Sequence, residues 1–210
     1  MLAFTAKPLA TTFTVCHTGD PNTLDKDLAP IRRVGTPTAD QITPMAYVDV
    51  QRSGDRRTDT LADPRTFPIR FQKNRLIAGV SPDLVKAIVD STGKRNLAVS
   101  FWQGVGQPGA VKSTDTAFTH RHATHTMVCG TNWRPGEDGG APRDNVLGLW
   151  RDVEPYLKGK GFYFNYAGTD AILDSSNYGE NLPRLVQIKN KYDPGNLFRL
   201  NANIPPSVKT

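Results

Sequence analysis

The sequence predicts an α+β fold: an antiparallel sheet with helices on one face, followed by a C-terminal helix and an extended tail. Three observations support this class. Strand-like and helix-like segments follow in a mixed order, without the regular βαβ alternation of a parallel sheet. The strand-like runs are short and bounded by turn residues. The prolines and asparagines of the last residues prevent the C-terminal helix from continuing to the end of the chain.

The first third of the chain contains one clear strand. Residues 11–16, TTFTVC, are β-branched and alternate in polarity, which predicts a strand. Residues 20–40 hold at most a short helix, because Pro30 and Pro37 interrupt them. Residues 52–66 are polar without a period and predict a loop.

The clearest helix signal lies at residues 81–93. Ser81 can cap the helix, Pro82 suits its first turn, and Gly93 is typical of a C-terminal stop. The apolar residues between them recur on one face. A strand, NLAVSFW, follows at residues 96–102.

The remaining elements alternate less regularly. A strand is predicted at residues 124–130 and a loop at 134–144. Apolar residues at helical spacing predict a helix at 145–157, and GFYFNY at 161–166 predicts a strand. A last helix at 181–192 is ended by the Asp-Pro pair that follows it.

Composition limits the function classes. The chain has 210 residues and a formal net charge of +6, but its basic residues are scattered, without a long run or interleaved aromatic residues. This pattern favours a solvated basic surface over nucleic acid binding. The N-terminal residues are too polar, and interrupted by Lys7 and Pro8, for a secretory signal. A cytoplasmic protein without a membrane-spanning segment is therefore expected.

The two cysteines do not form a redox or zinc motif. Cys16 and Cys129 lie far apart in the sequence, and no CxxC pattern occurs. Each is expected to behave as a small buried hydrophobic residue.

The stretch GVGQPG at residues 104–109 has the G-x-G-x-x-G pattern of a dinucleotide-binding loop. Such a loop must open directly into a helix whose N-terminus receives the phosphates. Here the sequence continues as AVKSTDTAFTH, which has no helical period, and Pro108 removes a backbone donor. We therefore expect a connection between two strands, with the glycines providing backbone freedom.

Three of the four histidines, His120, His122 and His125, are clustered in the sequence. In a strand, His120 and His122 would share one face and His125 would lie opposite. The fixed cation Arg121 stands among them, and no carboxylate lies nearer than Asp115, so no metal site is predicted. These histidines are expected in a strand or loop, some of them lining a pocket.

The predicted strand at residues 161–166 offers a candidate site. Its alternation places Phe162, Phe164 and Tyr166 on one face and Tyr163 and Asn165 on the other. A phenol beside a carboxamide can orient a heteroaromatic ligand or remove a proton, provided that the pKa of the phenol falls from about 10. Alternatively, Tyr163 is a rim residue and Asn165 satisfies backbone groups.

The C-terminal sequence carries a specific resemblance. The segment YGENLPRLVQIKNKYDPGNLFRLNANIPP at residues 178–206, together with the Tyr163-x-Asn165-Tyr166 stretch upstream, resembles the closing segment of berberine bridge enzyme-like, FAD-linked oxidases, flavoproteins of the vanillyl-alcohol oxidase type. Weaker similarity extends back through residues 108–121 and 34–47. The resemblance thus covers nearly the whole chain and is strongest over its last part.

The resemblance implies a division of the chain and a cofactor. It implies that residues 1–166 form a substrate-binding domain and that residues 167–210 form a C-terminal segment that packs on an FAD-binding domain. No part of this sequence is similar to the cofactor-holding half of that family. The resemblance therefore implies that FAD contacts this chain only in part. The chain is then either a truncated or partial product or one subunit of a split enzyme, whose partner would be a separate FAD-binding subunit.

The resulting hypothesis is flavin-dependent oxidation of a small organic substrate. Tyr163 is the candidate base or substrate-orienting residue, and Gln103 and His120 are candidates for the substrate side of the sheet. The resemblance implies that Asn165, Asn201 and Asn203 face the flavin. Two alternatives stay open: a non-catalytic binding module that has lost the flavin domain, and a basic nucleic acid binder.

Overall fold

A computed structural model describes residues 2–7, 10–52, 68–95, 97–104, 106–159, 161–166, 177–200 and 202–207. Five of its strands form one sheet: β1 (Leu2–Lys7), β2 (Ala10–Val15), β3 (Ile69–Ile77), β4 (Ala98–Gln103) and β5 (His125–Trp133). Its helices are α1 (Leu24–Arg32), α2 (Tyr47–Arg52), α3 (Pro82–Arg95), the single turn α4 (Gln107–Ala110), α5 (Gly140–Val153) and α6 (Leu182–Tyr192). No helix among the described residues is both long and apolar enough to cross a membrane.

The sheet is antiparallel throughout. Its strand order is β2-β1-β4-β5-β3, so β5 lies between β4 and β3, and β3 forms an edge. The predicted α+β class is confirmed, and so are the strands expected near residues 11–16, 96–102 and 124–130.

The hydrophobic core lies on one face of this sheet, under α3 and α5. Val99 of β4 and Met127 of β5 are fully buried there, against Leu84 of α3 and Leu149 of α5. Burial of such side chains contributes about 1.5–3 kcal/mol each to folding before the loss of conformational entropy. The two main helices thus cover a single face, as predicted, and the opposite face of the sheet remains available to other segments.

The sequence does not predict strand β3, because its residues do not alternate regularly between apolar and polar. Its middle reads QKNR, yet Lys73 and Arg75 lie on the helix-covered face. Their charged ends lie over the ring of Trp150, at 5.2 and 5.5 Å from its centroid. Long basic side chains can bury their stems in this way while the charge stays near solvent. Strand β1 was also not predicted.

Helix α3 continues past the predicted stop at Gly93 to Arg95. The guanidinium of Arg95 donates to Ser91 Oγ (2.6 Å) and to Asp152 Oδ2 of α5 (2.7 Å). The Ser91 hydroxyl and this guanidinium lower the pKa of the Asp152 carboxyl. The polar bridge between the two helices therefore extends α3 beyond the glycine.

Helix α5 begins inside the segment predicted as the loop 134–144. Asp138 Oδ1 accepts a hydrogen bond from the backbone N–H of Gly140 (2.8 Å) at its start. Pro142 falls in the first turn, where a missing N–H leaves no helical hydrogen bond unmade. The glycines and the proline therefore mark the beginning of this helix.

Most of the predicted loop at 52–66 lies outside the described residues.

The GVGQPG stretch joins β4 to β5, as predicted. Gly106 has a positive φ of 91° and is followed by the single turn α4, and residues up to 124 complete the connection. No long helix follows the glycines, so the geometry required for a dinucleotide phosphate cradle is missing from this stretch.

The two cysteines are expected to differ sharply in reactivity. Burial raises the pKa of the Cys129 thiol to about 12, because the thiolate would lose its hydration inside the core. Cys16 is only partly buried. Iodoacetamide at neutral pH should therefore modify Cys16 in the folded protein and leave Cys129 intact, as mass spectrometry of peptides would show. Denaturant should expose both thiols equally; rapid native modification of Cys129 would contradict the buried placement.

Candidate functional site

A cavity of about 450 Å³ opens on the sheet face opposite the helices. Trp102, Thr126 and Leu76 lie side by side across β4, β5 and β3 and line it. Loop residues and two tyrosines complete the wall; the full lining comprises Leu76, Trp102, Gly104, Pro108, Phe118, His120, Arg121, Ala123, His125, Thr126, Tyr163 and Tyr166. Its size and the aromatic rings on half of its lining residues suit a small planar ligand.

Residues 161–166 are not the strand that the sequence predicts. Gly161 C=O accepts a hydrogen bond from Leu76 N–H at the edge of β3 (3.1 Å), and the chain then turns through a 3₁₀ turn at Phe164–Tyr166. The predicted alternation of side chains is therefore wrong: Tyr166 does not join Phe162 on a core face but lines the cavity with Tyr163. The rings of Tyr163 and Tyr166 meet edge to face, with centroids 5.4 Å apart.

His120 is the second predicted residue that the structure brings to this cavity. Its side chain is buried, and its Nε2 lies 3.1 Å from the backbone oxygen of Asn177. Because that oxygen can only accept, Nε2 carries a proton, and burial lowers the pKa of His120. At neutral pH the ring is therefore neutral, with an unprotonated Nδ1.

Gly161 allows the turn to approach His120. Its φ is 81°, and a Cβ placed on it would lie 2.2 Å from His120 Nε2 and 2.8 Å from Asn177 Oδ1. A side chain at this position would therefore clash with both groups as well as strain the backbone.

The histidine cluster is arranged differently from the strand prediction. The chain forms a loop up to residue 124, and only His125 starts β5. The rings of His120 and His122 lie edge to face, with centroids 6.2 Å apart, whereas His125 lines the cavity from the strand end. Burial lowers the pKa of His125, so it too is neutral at neutral pH. No group of His, Cys, Asp and Glu side chains in the described ranges is arranged to hold a metal ion.

Arg121 gives the cavity wall a positive charge. Its guanidinium donates to Thr116 Oγ1 (2.6 Å) and to Pro108 C=O (3.3 Å), and it lies over the Phe118 ring at 5.2 Å from the centroid. None of the cavity's lining residues, all within the described ranges, is Asp or Glu. The cavity therefore favours neutral or anionic ligands over cations.

The C-terminal tail is tied to helix α6 and to the turn before it. Tyr178 Oη donates to Ala202 C=O (2.7 Å), and burial raises the pKa of this phenol, which keeps it protonated. Asn203 has a buried side-chain oxygen that finds no hydrogen-bond partner among the described residues. Leaving a buried acceptor without a hydrogen-bond donor costs about 1–3 kcal/mol of folding free energy, so a bound donor would stabilise the Asn203 oxygen.

An ion pair fixes the end of α6. Lys189 and Asp193 are each 13% exposed, and their ammonium and carboxylate groups are in hydrogen-bond contact. The carboxylate also accepts from the backbone N–H groups of Leu197 and Phe198. This confirms the helix end predicted at the Asp-Pro pair.

The Lys189 ammonium lowers the pKa of Asp193 below its ordinary value of 3.8. A lowered folded-state pKa stabilises the protein above the ordinary value, and this contribution is lost as pH falls through the folded value. Asp193→Asn should therefore reduce the melting temperature at about pH 7, and the difference from wild type should be smaller at about pH 3, below the ordinary carboxyl pKa of 3.8. Circular dichroism melts at both pH values test this. A difference that stays as large at the acidic end would show that the charge is not responsible.

Of the other predicted residues, the two whose side chains the structure describes, Gln103 and Asn203, are not among the cavity's lining. Gln103 is exposed at the end of β4, opposite His125 in the neighbouring strand. The backbone of Asn165 lies in the 3₁₀ turn, but its side chain is outside the described part, and Asn201 is likewise outside it. The roles of Gln103, Asn165, Asn201 and Asn203 stay predictions.

Several cavity residues escaped the sequence analysis. Trp102 and Thr126 sit on the open face of correctly predicted strands, and period-2 alternation could have placed them together. Phe118 and Arg121 come from a loop, where no periodicity exists to indicate their direction.

Comparisons with known proteins agree with the resemblance. Residues 162–205 match the family model described as "Berberine and berberine like". The uncharacterized FAD-linked oxidoreductase YgaK of Bacillus subtilis (strain 168) is 28% identical over 199 residues, which cover 90% of this chain and 41% of that protein. YvdP, a second uncharacterized FAD-linked oxidoreductase from the same strain, is 27% identical over 92% of this chain and 44% of its own length.

A solved structure extends the likeness to the whole fold. Berberine bridge enzyme from Eschscholzia californica superposes with a TM-score of 0.82 at 16% sequence identity, over 100% of this chain and 49% of that one. The fold is therefore that of about half of the berberine bridge enzyme chain. The protein is a relative of the berberine bridge enzyme-like, FAD-linked oxidoreductases and spans less than half the length of the curated relatives YgaK and YvdP.

Proposed function

We propose that this chain forms the substrate-binding part of an FAD-dependent oxidoreductase that oxidises a small organic substrate. One observation carries the proposal: in a relative of FAD-linked oxidoreductases, the Tyr163 phenol and the neutral His120 line the same cavity. Catalysis of an oxidation requires a substrate-sized space with an acid–base group at its wall, and this cavity offers both.

The chain's own residues would bind the substrate and handle its proton. FAD, when bound, would accept a hydride from a substrate C–H bond. Tyr163 would hydrogen-bond a substrate hydroxyl or take its proton, and the ring of Trp102 would hold a flat substrate against the sheet. The neutral His120 adds an acceptor at Nδ1. The aromatic wall would also exclude water from the reacting bond.

The carboxamides of the C-terminal strip suit the ring of FAD. The isoalloxazine presents both N–H and carbonyl groups, and the buried oxygen of Asn203, which has no partner within the described part of the chain, is an acceptor for an N–H donor. Together with Asn165 and Asn201, this residue is proposed to contact the cofactor. The phosphates of FAD would be bound by another domain, so this chain would make only part of the contacts with the cofactor.

An exposed apolar surface supports a flavin-domain partner. The large apolar side chains that follow α6 are strongly exposed: Leu197 by 72%, Phe198 by 77% and Leu200 by 82%. Contiguous exposed apolar residues mark interaction surfaces. We propose that the segment 167–210 packs there on an FAD-binding domain, that residues 1–166 form the substrate-binding domain, and that the complex is cytoplasmic.

The proposal is tested by adding back an FAD-binding domain. The chain is mixed with, and separately fused to, the part of YgaK that lies outside its match to this chain. Flavin absorbance is recorded, with oxygen consumption over a panel of alcohols, phenols and sugars. Substrate-dependent bleaching of flavin that requires this chain supports the oxidoreductase. In parallel, intrinsic tryptophan fluorescence, to which Trp102 in the cavity wall contributes, reports cavity binding by the same panel, with Trp102→Phe as the control for the emission of the other tryptophans. Ligand binding without any flavin response would instead favour the non-catalytic module.

A further inference from the structure

The turn that carries Tyr163 is held by one buried side chain of β3. Asn74 is 6% exposed and lies at the sheet edge nearest residues 163–166. Its Oδ1 accepts a hydrogen bond from Tyr163 N–H at 2.6 Å. Its Nδ2 donates to Tyr166 C=O at 2.9 Å and to Tyr163 C=O at 3.3 Å. A single carboxamide thus contacts both ends of the turn.

Backbone pairing between β3 and the 161–166 segment ends after Gly161, and the hydrogen bonds of Asn74 take its place. On the same strand as Asn74, the backbone N–H of Leu76 donates to the C=O of Gly161, which pairs β3 with the start of the 161–166 segment. Beyond Gly161 the segment leaves the edge, and side chains take over: Asn177 Oδ1 accepts from Phe162 N–H (2.7 Å), and Asn74 accepts from Tyr163 N–H. Two consecutive amides are therefore capped by buried carboxamides.

The Asn74 side chain, called the clamp below, holds the backbone of two residues whose rings line the cavity. The turn closes through Tyr166 N–H and Tyr163 C=O (3.0 Å), and the oxygen of this bond also accepts from Asn74. Because Asn74 binds the backbone of both tyrosines, moving the turn requires breaking three hydrogen bonds, and their Asn74 end is buried. Catalytic groups need to be held within about 0.5 Å of their productive position, and buried hydrogen bonds provide such restraint.

We propose that Asn74 is a positioning residue for Tyr163: it holds the 163–166 turn so that the phenol stays at the cavity wall. This inference rests on the proposed function for its catalytic part, and on the geometry of the clamp for its structural part. Asn74 does not line the cavity, so it acts through Tyr163 and Tyr166.

The structural part is tested on the full chain by hydrogen exchange. Asn74→Leu keeps the approximate volume but removes the acceptor for Tyr163 N–H, and Asn74→Ser is a milder variant should the first fail to fold. Exchange of the Tyr163 amide, followed by NMR, should quicken at least about tenfold, the factor expected for loss of one buried hydrogen bond. Asn132→Leu is the matched control, since Asn132 is exposed on β5 and its side chain accepts from Arg70 at 3.2 Å. Unchanged exchange in both Asn74 variants would overturn the clamp.

The catalytic part is tested by a double-mutant cycle in the flavin-loaded assembly. If Asn74 acts through Tyr163, Asn74→Leu should lower kcat about tenfold or more in the wild-type background and have little further effect in Tyr163→Phe. A merely structural role would instead multiply the two losses, and that result would overturn the positioning role. An assembly in which the wild type shows no turnover defeats the proposed function and with it the catalytic part, while the exchange data still decide the clamp.

Discussion

Replacing Tyr163 by phenylalanine is expected to lower kcat of the flavin-loaded assembly by about 10²- to 10⁴-fold, the range typical of general acid–base groups. The substitution removes only the hydroxyl, and the edge-to-face contact of the ring with Tyr166 remains. Stopped-flow measurement of flavin bleaching separates this chemical step from product release.

The matched control is Tyr156→Phe. Tyr156 is 41% exposed in the turn after α5 and does not line the cavity. Its variant should retain wild-type turnover. If Tyr163→Phe raised KM and left kcat unchanged, Tyr163 would orient the substrate and some other group would take the proton. Unchanged values of both constants would remove Tyr163 from the site altogether.

Truncation of Leu149 to alanine is expected to reduce the free energy of unfolding by about 2–5 kcal/mol. Leu149 is fully buried where α5 packs on the sheet, and the smaller side chain leaves a cavity that the surrounding core cannot fill. Since domains of this size are stable by only about 5–15 kcal/mol, the variant should show a clear fall in the urea midpoint.

Leu200→Ala is the control for this second experiment. Leu200 is 82% exposed, so the same chemical change should alter the free energy of unfolding of the isolated chain by no more than about 0.5 kcal/mol. Equal losses in the two variants would mean that α5 is not the centre of the core. A loss seen with Leu200→Ala only in the assembly would instead support the proposed contact with an FAD-binding domain.

Elements with strong local signals were predicted well. The helix at 181–192 has an apolar stripe and an Asp-Pro stop, and the structure has it at Leu182–Tyr192. The strand NLAVSFW alternates in polarity and became β4. In both segments, short-range pattern and tertiary environment favour the same conformation, which makes sequence reasoning effective.

The segment GFYFNY shows where such reasoning fails. Its aromatic alternation is typical of a strand, yet only its first residue pairs with β3. Asn74 lies 89 residues earlier in the chain and accepts a hydrogen bond from the backbone N–H of Tyr163, which stabilises the turn. Hydrogen bonds between residues so far apart do not affect the local periodicity of the sequence. The periodicity therefore predicts the wrong face for Tyr166.

The α+β class, the antiparallel sheet with helices on one face, the family resemblance and the candidates Tyr163 and His120 can all be derived from the amino-acid sequence. These follow from local patterning and from a specific C-terminal motif. That one cavity is lined by Tyr163, Tyr166, Trp102 and His120 became evident from the three-dimensional arrangement alone. The reason is physical: this cavity is assembled from strand ends, a loop and a turn, and contacts between distant segments, rather than any local preference, hold them together.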